Sequence, residues 1–219
     1  PALCLLLALL FAALGLWQVD RLRWKLDLIA RVEARLAQPP VDAAAVSDPA
    51  AFEYRPVRAT GRFDHARETR VDALTERGAG DWLVTPLRTP SGTILVNRGF
   101  VPSGRAAEAA RPEGPVTVKG LVRRSEPGGR WLRPNRPAES RWFSRDVAAI
   151  AATRGLGPVA PYFIDAAASG QPTALPVGGM TVVRFRNAHG WYAATWFGLA
   201  ILCLVGFAIT RRAARLDAA

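Results

Sequence analysis

The sequence is poor in the residues that carry most enzymatic and metal chemistry. Its 219 residues include two cysteines, Cys4 and Cys203, and two histidines, His65 and His189. Both cysteines fall inside apolar runs, so the rest of the chain can form no disulfide. The sequence also lacks the CxxC, CxxCH and Cys/His spacings that are typical of thiol redox centres, c-type haem and copper–thiolate sites. HExxH, GxSxG, GxxxxGK[ST] and GxGxxG are absent too, and we therefore do not predict an enzyme.

Acidic residues are also scarce: 18 Asp and Glu stand against 29 Lys and Arg, a net charge of +11. Such an excess can indicate nucleic-acid binding. Here, however, the basic residues are mostly single arginines between apolar residues, with no basic block interleaved with aromatics. Lipid head groups, an acidic protein surface or cofactor carboxylates are the better partners. Asp64 and Glu68 could pair as catalytic carboxylates, but we predict surface salt bridges for them.

The chain does have a long uncharged run near each end, Leu3–Val19 and Trp191–Thr210. A helix of about 20 apolar residues spans a bilayer, so we predict transmembrane helices over residues 1–19 and 191–210. A cleaved signal peptide and a buried core helix are the alternatives for the first run. The lack of an A-x-A cleavage site, and a helical pattern that continues beyond the run, favour an uncleaved span.

The tail at 211–219 carries three arginines and one aspartate. Basic residues next to a span favour the cytoplasmic side, whereas long loops cross a membrane largely regardless of their charge. We therefore expect both termini in the cytoplasm. The Ala- and Arg-rich composition is typical of a GC-rich bacterial gene, so we expect the bacterial inner membrane and a periplasmic domain over residues 39–190.

Between the spans, residues 20–38 have apolar side chains at helical spacing and are predicted to extend the first helix. The domain at 39–190 is predicted to be mostly β with one or two short helices. A helix is predicted over Asp146–Arg154. The predicted strands are Arg55–Phe63, Thr69–Leu74, Asp81–Arg88, Thr93–Asn97, Val116–Arg123, Tyr162–Asp165 and Met180–Phe185.

Val96–Pro102 is dense in residues with turn chemistry. Asn97 can bond backbone groups, Gly99 can take a positive φ and Pro102 fixes the exit. A structured corner from strand to loop is the leading interpretation. A partner or cofactor contact by Arg98 is the alternative.

His189 lies at the start of the second apolar run. A histidine there is often only an interfacial polar residue, but its neighbours favour a ligand. Asn187 can cap the helix. Trp191, Tyr192 and Trp196 supply flat apolar surface, while Arg184 and Arg186 can face carboxylates. A neutral imidazole beside aromatic walls, with arginines for the propionates, is what haem ligation requires.

Six motifs in order give the chain its resemblance to the Surf family of cytochrome c oxidase assembly factors. They are Gly15-Leu16-Trp17-Gln18 with Arg21 and Trp24-Lys25; Gly61-x-Phe63-Asp64 with Glu68; Val84–Leu87, Gly92 and Val96–Pro102; Asn135-x-Pro137 with Trp142 and Arg145-Asp146; Tyr162–Asp165; and Arg186-Asn187-x-His189-x-x-Tyr192-x-x-Thr195-Trp196. The family usually follows this histidine with Leu, whereas Gly190 stands here. Gly190 is therefore expected to loosen the helix start and could shift the His189 ring.

The resemblance implies two spans around an exported β-rich domain and a non-enzymatic role in delivering or stabilising haem a during maturation of oxidase subunit I. It makes His189 the haem iron ligand. Arg184, Arg186 and Arg98 are the candidates to pair with the propionates, and Trp191, Tyr192 and Trp196 would pack the ring. The implied partners are oxidase subunit I, haem a synthase and the lipid bilayer. The alternative is a scaffold that holds an early oxidase subunit without haem.

Overall fold

The computed structural model describes residues 2–171, 173–181 and 187–216. The chain divides into two compact units. The helical unit contains Pro1–Glu33 and Val183–Ala219, and the β unit contains Ala34–Val182. Two terminal helices thus bracket a β-rich domain, which confirms the predicted fold class.

The three α-helices are α1 (Ala2–Leu36), α2 (Val147–Arg154) and α3 (His189–Leu216). Helix α1 continues through residues 20–36 without a break, as predicted. Both α1 and α3 are long and apolar enough to cross a membrane. Most of their large apolar side chains are exposed, as expected for helices that meet lipid rather than a protein core.

Small residues line the contact between α1 and α3, which run antiparallel. The buried small positions are Ala8, Gly15, Ala193 and Ala200. A Cβ at Gly15 would lie 2.6 Å from the Phe197 ring, so the helices approach this closely only because residue 15 is glycine. Four residues earlier, Phe11 stacks on Trp196 with ring centroids 5.6 Å apart.

The described part of the β unit contains nine strands. They are β1 (Val41–Asp42), β2 (Pro56–Phe63), β3 (Thr69–Thr75), β4 (Gly78–Thr89), β5 (Gly92–Pro102), β6 (Pro115–Arg124), β7 (Gly129–Arg130), β8 (Arg133–Pro134) and β9 (Val159–Ala166). Seven pair in the order β1-β2-β6-β9-β5-β4-β3, and β2 also pairs with β4. That extra pairing closes β2, β6, β9, β5 and β4 into a five-stranded barrel, and β7 pairs with β8 as a separate hairpin.

Neighbouring residues of β5 and β9 point into two different cores. Val96 and Ile164 lie inside the barrel, whereas Leu95 and Phe163 lie on the outer face, which α2 covers. Both strands are therefore buried on both faces, as is typical of a parallel pair. Asp146 caps the start of α2, with its Oδ1 accepting from the Ala149 amide at 3.1 Å, and Gly155 caps its end in the left-handed conformation.

The predicted strands and helix are confirmed within one or a few residues, except in two places. Val96–Pro102 is not a corner, because β5 runs through it to Pro102. A bulge places Arg98 and Gly99 opposite the single residue Leu83. Of the predicted strand Met180–Phe185, Met180 and Thr181 belong to no strand, and the remainder lies outside the described residues.

Candidate functional site

His189 begins α3, and its backbone is capped as predicted. The Asn187 Oδ1 accepts from the His189 amide at 3.4 Å, and the Tyr192 amide bonds the Ala188 carbonyl at 3.2 Å. The turn has room for a larger residue than Gly190, since a Cβ there would lie 3.8 Å from Leu22 Cδ2. That Gly190 loosens the helix start stays a prediction, in line with the lower helix propensity of glycine.

The His189 ring is held by Gln18 of α1. The distance from His189 Nδ1 to Gln18 Oε1 is 2.8 Å. An amide oxygen only accepts hydrogen bonds, so this contact is a hydrogen bond in the tautomer whose Nδ1 carries the hydrogen, and Nε2 of a neutral ring in that tautomer has a free lone pair. Within the described residues, Nε2 makes no hydrogen bond. In that tautomer Nε2 is the ring nitrogen that is available to a ligand.

The predicted aromatic neighbours of His189 fall into two groups. Trp191 and Tyr192 are 82% and 56% exposed, so their rings are open to a ligand or to lipid. Trp196 instead stacks on Phe11 in the contact between the helices. Arg184 and Arg186, the predicted propionate partners, lie outside the described residues.

Arg98, the third predicted propionate partner, is buried in the β unit. Its guanidinium NH1 lies 3.1 Å from Glu68 Oε2, its NH2 donates to the Ala110 carbonyl, and its Cζ lies 5.2 Å from the Phe63 ring centroid. Burial lowers the pKa of Arg98 and outweighs the opposing effect of Glu68. A propionate would have to share this guanidinium with Glu68.

The environment of Glu68 differs from the one that the sequence predicts. Only 7% of its side chain is exposed, and its Oε2 also accepts from Thr85 Oγ1 at 2.7 Å. The predicted surface salt bridge is thus a buried one. Asp64, by contrast, pairs with the half-exposed Arg88 at 2.8 Å, which agrees with the prediction.

A polar cluster that the sequence analysis did not predict centres on Asp165. Asn97 donates to its Oδ1 at 2.7 Å, and Thr181 donates to its Oδ2 at 2.8 Å. Arg145 and Arg123 approach the same carboxylate at 3.2 and 3.4 Å. Four donors therefore converge on one buried acid.

Arg145 links this cluster to a second acid. Its Nε and NH2 bond both oxygens of Glu126, at 3.1 and 2.6 Å. Burial alone would lower the pKa of Arg145, but Asp165 and Glu126 together raise it. Burial likewise acts to raise the pKa of Glu126, but the bonds and charge of Arg145 outweigh it and the pKa is lowered.

Beside the cluster lies an open cavity of about 780 Å³, lined by Leu74, Trp82, Arg123 and Gly178–Thr181 among others.

His65, the second histidine of the sequence, lies elsewhere in the β unit, with its Nε2 3.1 Å from the Pro112 carbonyl oxygen. No group of three His, Cys, Asp or Glu side chains suited to a metal ion occurs within the described residues.

Comparison with known proteins gives one consistent family. The model of the SURF1 family matches residues 5–201. Surfeit locus protein 1 of Homo sapiens is 39% identical over 211 residues, covering 85% of this chain and 69% of the human protein. The same-named protein of Rattus norvegicus is 38% identical and covers 85% and 67%, respectively. A SURF1-like protein of Monosiga brevicollis is 35% identical and covers 91% and 82%.

Proposed function

The chain belongs to the SURF1 family, and from that membership we propose that it is a non-enzymatic, membrane-anchored assembly factor for a haem–copper cytochrome c oxidase. In this proposal His189 holds haem a while oxidase subunit I matures. The supporting observation is the His189 ring at the start of α3, with Nδ1 bonded to Gln18 and the Nε2 lone pair free.

A single protein ligand, His189, suits a haem that is bound transiently and then transferred to another protein. One neutral imidazole supplies one axial bond, which is weaker than a closed set of protein ligands and allows release. The exposed Trp191 and Tyr192 can cover a porphyrin face. Arg184 and Arg186, five and three residues before His189 in the sequence, are the proposed propionate partners. Arg98 is left out of this set, because its guanidinium is buried against Glu68 in the β unit.

The proposed location is the bacterial inner membrane, with both termini in the cytoplasm and the β unit in the periplasm. Because α1 and α3 are antiparallel neighbours, Gln18 and His189 lie at the same end of the pair. The arginines at 211, 212 and 215 lie at the other end, where basic residues favour the cytoplasm. The haem site would then face the periplasmic side, close to where oxidase subunit I and haem a synthase are proposed to meet it.

Purification of the full chain in detergent from cells that make haem a tests the proposal. We expect a Soret band in the wild type and its loss in His189→Ala. The matched control is His65→Ala, which removes the other histidine of the chain and should leave the band unchanged. An undiminished band in His189→Ala would overturn the ligand role.

A haem-independent scaffold is a second candidate, supported by an exposed apolar tip. Trp131 and Leu132, between β7 and β8, are 90% and 78% exposed. The flanking Arg130 and Arg133 both pair with Asp72 of β3, which connects the base of the hairpin to the main sheet. An exposed Trp beside Arg is typical of an interaction surface.

Capture of oxidase subunit I from cells that cannot make haem a separates the two functions. The scaffold predicts capture by the wild type and its loss in Trp131→Ala, while Leu74→Ala, another exposed apolar change, should retain it. Capture that needs haem a and survives Trp131→Ala would exclude the scaffold.

A further inference from the structure

We propose that Gln18 is the positioning residue of the His189 site: its amide oxygen fixes the Nδ1–H tautomer and thereby presents Nε2 to a ligand. The identity of that ligand rests on the proposed function, but the tautomer does not. The two residues are 171 positions apart in the sequence, and their side chains meet at 2.8 Å within the helical unit.

Gln18 stands out chemically on α1. It is the only amide side chain in the run Leu3–Val19, and it is 9% exposed, whereas its neighbour Trp17 is 51% exposed. An amide removed from water is costly unless it is hydrogen-bonded, and polar side chains within apolar helices usually mark functional sites. The His189 ring is the partner that the structure gives to its oxygen.

Close contacts between α1 and α3 flank Gln18 on both sides. One turn earlier, Gly15 permits the approach of Phe197, and one turn later Leu22 packs next to Gly190. These three α1 positions are spaced by three and four residues, so they share the face that packs on α3. Gln18 therefore lies on the face of α1 that contacts α3, where its side chain meets the His189 ring.

The hydrogen bond decides which ring nitrogen is available. The bond made by one imidazole nitrogen sets the protonation of the other. A carbonyl acceptor at Nδ1 also orients the ring and increases the basicity of Nε2, and losing such a partner typically weakens metal binding about 10- to 100-fold. Gln18→Leu should therefore weaken haem binding to that extent. Gln18→Glu keeps an acceptor of the same reach and should restore it.

The tautomer can be measured without haem. The full chain has only two histidines, so an imidazole ¹⁵N spectrum of the ¹⁵N-histidine-labelled protein in detergent micelles has two patterns, and His65→Gln assigns them. We expect His189 as the Nδ1–H form in the wild type and in Gln18→Glu. Gln18→Leu should shift the ring toward the Nε2–H form. Gln38→Leu, at an exposed glutamine just beyond α1, is the matched control and should leave it unchanged.

The outcomes separate this inference from the proposed function. An Nε2–H ring in the wild type, or haem affinity unchanged in Gln18→Leu, would overturn the role of Gln18 while leaving haem binding intact. A fixed Nδ1–H ring in a wild-type protein that takes up no haem a would support the role of Gln18 in setting the tautomer and overturn the haem proposal.

Discussion

Asn97 and Asp165 face each other on the parallel strands β5 and β9, and the Asn97 amide donates to Asp165 Oδ1 at 2.7 Å. This pair joins three further segments, because Arg123 of β6, Arg145 just before α2 and Thr181 bond the same carboxylate. A buried charge that anchors three further segments should be a main determinant of the stability of the β unit.

Asp165→Asn should strongly destabilise the β unit. The change leaves Arg145 and Arg123 with less opposing charge in a buried site, and breaking a buried ion pair typically costs about 3–5 kcal/mol. Thermal unfolding in detergent measures the effect. The matched control is Asp72→Asn: Asp72 also pairs with two arginines but is 41% exposed, against 5% for Asp165, so its loss should cost about 1 kcal/mol or less. Equal losses would contradict the assigned role of burial.

Glu126 should make stability depend on pH in the acidic range. Arg145 holds the folded-state pKa of Glu126 below its ordinary value of 4.5, in spite of burial, which acts in the opposite direction. The resulting stabilisation is fully present above pH 4.5 and is lost as the pH falls through the lower, folded-state pKa. Unfolding temperatures of the wild type and Glu126→Gln should thus differ at pH 7 and converge as the pH falls below this range. A constant difference would contradict the linkage.

Gly99→Ala should destabilise the bulge in β5. Its φ is 137°, and a Cβ there would collide with the backbone of Val177 and Gly178. Gly92 is the matched control, since its φ is 128° but a Cβ there would meet nothing within 4 Å. Gly92→Ala should cost about 1–3 kcal/mol from backbone strain alone, and Gly99→Ala clearly more. Equal unfolding temperatures for the two variants would mean that the Val177 contact is unimportant.

Gly190→Ala should be harmless, although this glycine departs from the family pattern. A Cβ at residue 190 makes only an ordinary contact with Leu22, and alanine favours a helix over glycine by up to about 1 kcal/mol. We expect haem content and the unfolding temperature of the helical unit to be kept or slightly raised. Gly15→Ala is the contrasting variant, because its Cβ would meet Phe197 at 2.6 Å and force α1 and α3 apart. Loss of haem in Gly190→Ala but not in Gly15→Ala would contradict this picture.

Local patterns were sufficient to predict the helices and most strands. The uncharged runs fix α1 and α3, and the alternation within Arg55–Phe63 and Val116–Arg123 gives β2 and β6 nearly to the residue. Asn187 was correctly predicted as the cap of α3 because capping depends on residues two or three positions apart. The six ordered motifs were sufficient to predict the family.

Contacts between distant segments could not be predicted in this way. Closure of the barrel depends on Arg62 and Phe63 pairing with Arg88 and Leu87, and no local pattern sets that register. The burial of Glu68 and the convergence on Asp165 follow from the same topology. Gln18 belongs to the first of the six family motifs, but its hydrogen-bond partner His189 lies 171 residues further along the chain. An isolated amide in an apolar run is the sequence signal that could have identified Gln18 as a functional residue.

The central claim is that His189 binds haem a through Nε2. The most direct test is the Soret absorbance per polypeptide of the full chain, purified from cells that make haem a, for the wild type, His189→Ala and His65→Ala. The account predicts a band in the wild type and in His65→Ala, and its loss in His189→Ala. A band of equal intensity in all three proteins would contradict it.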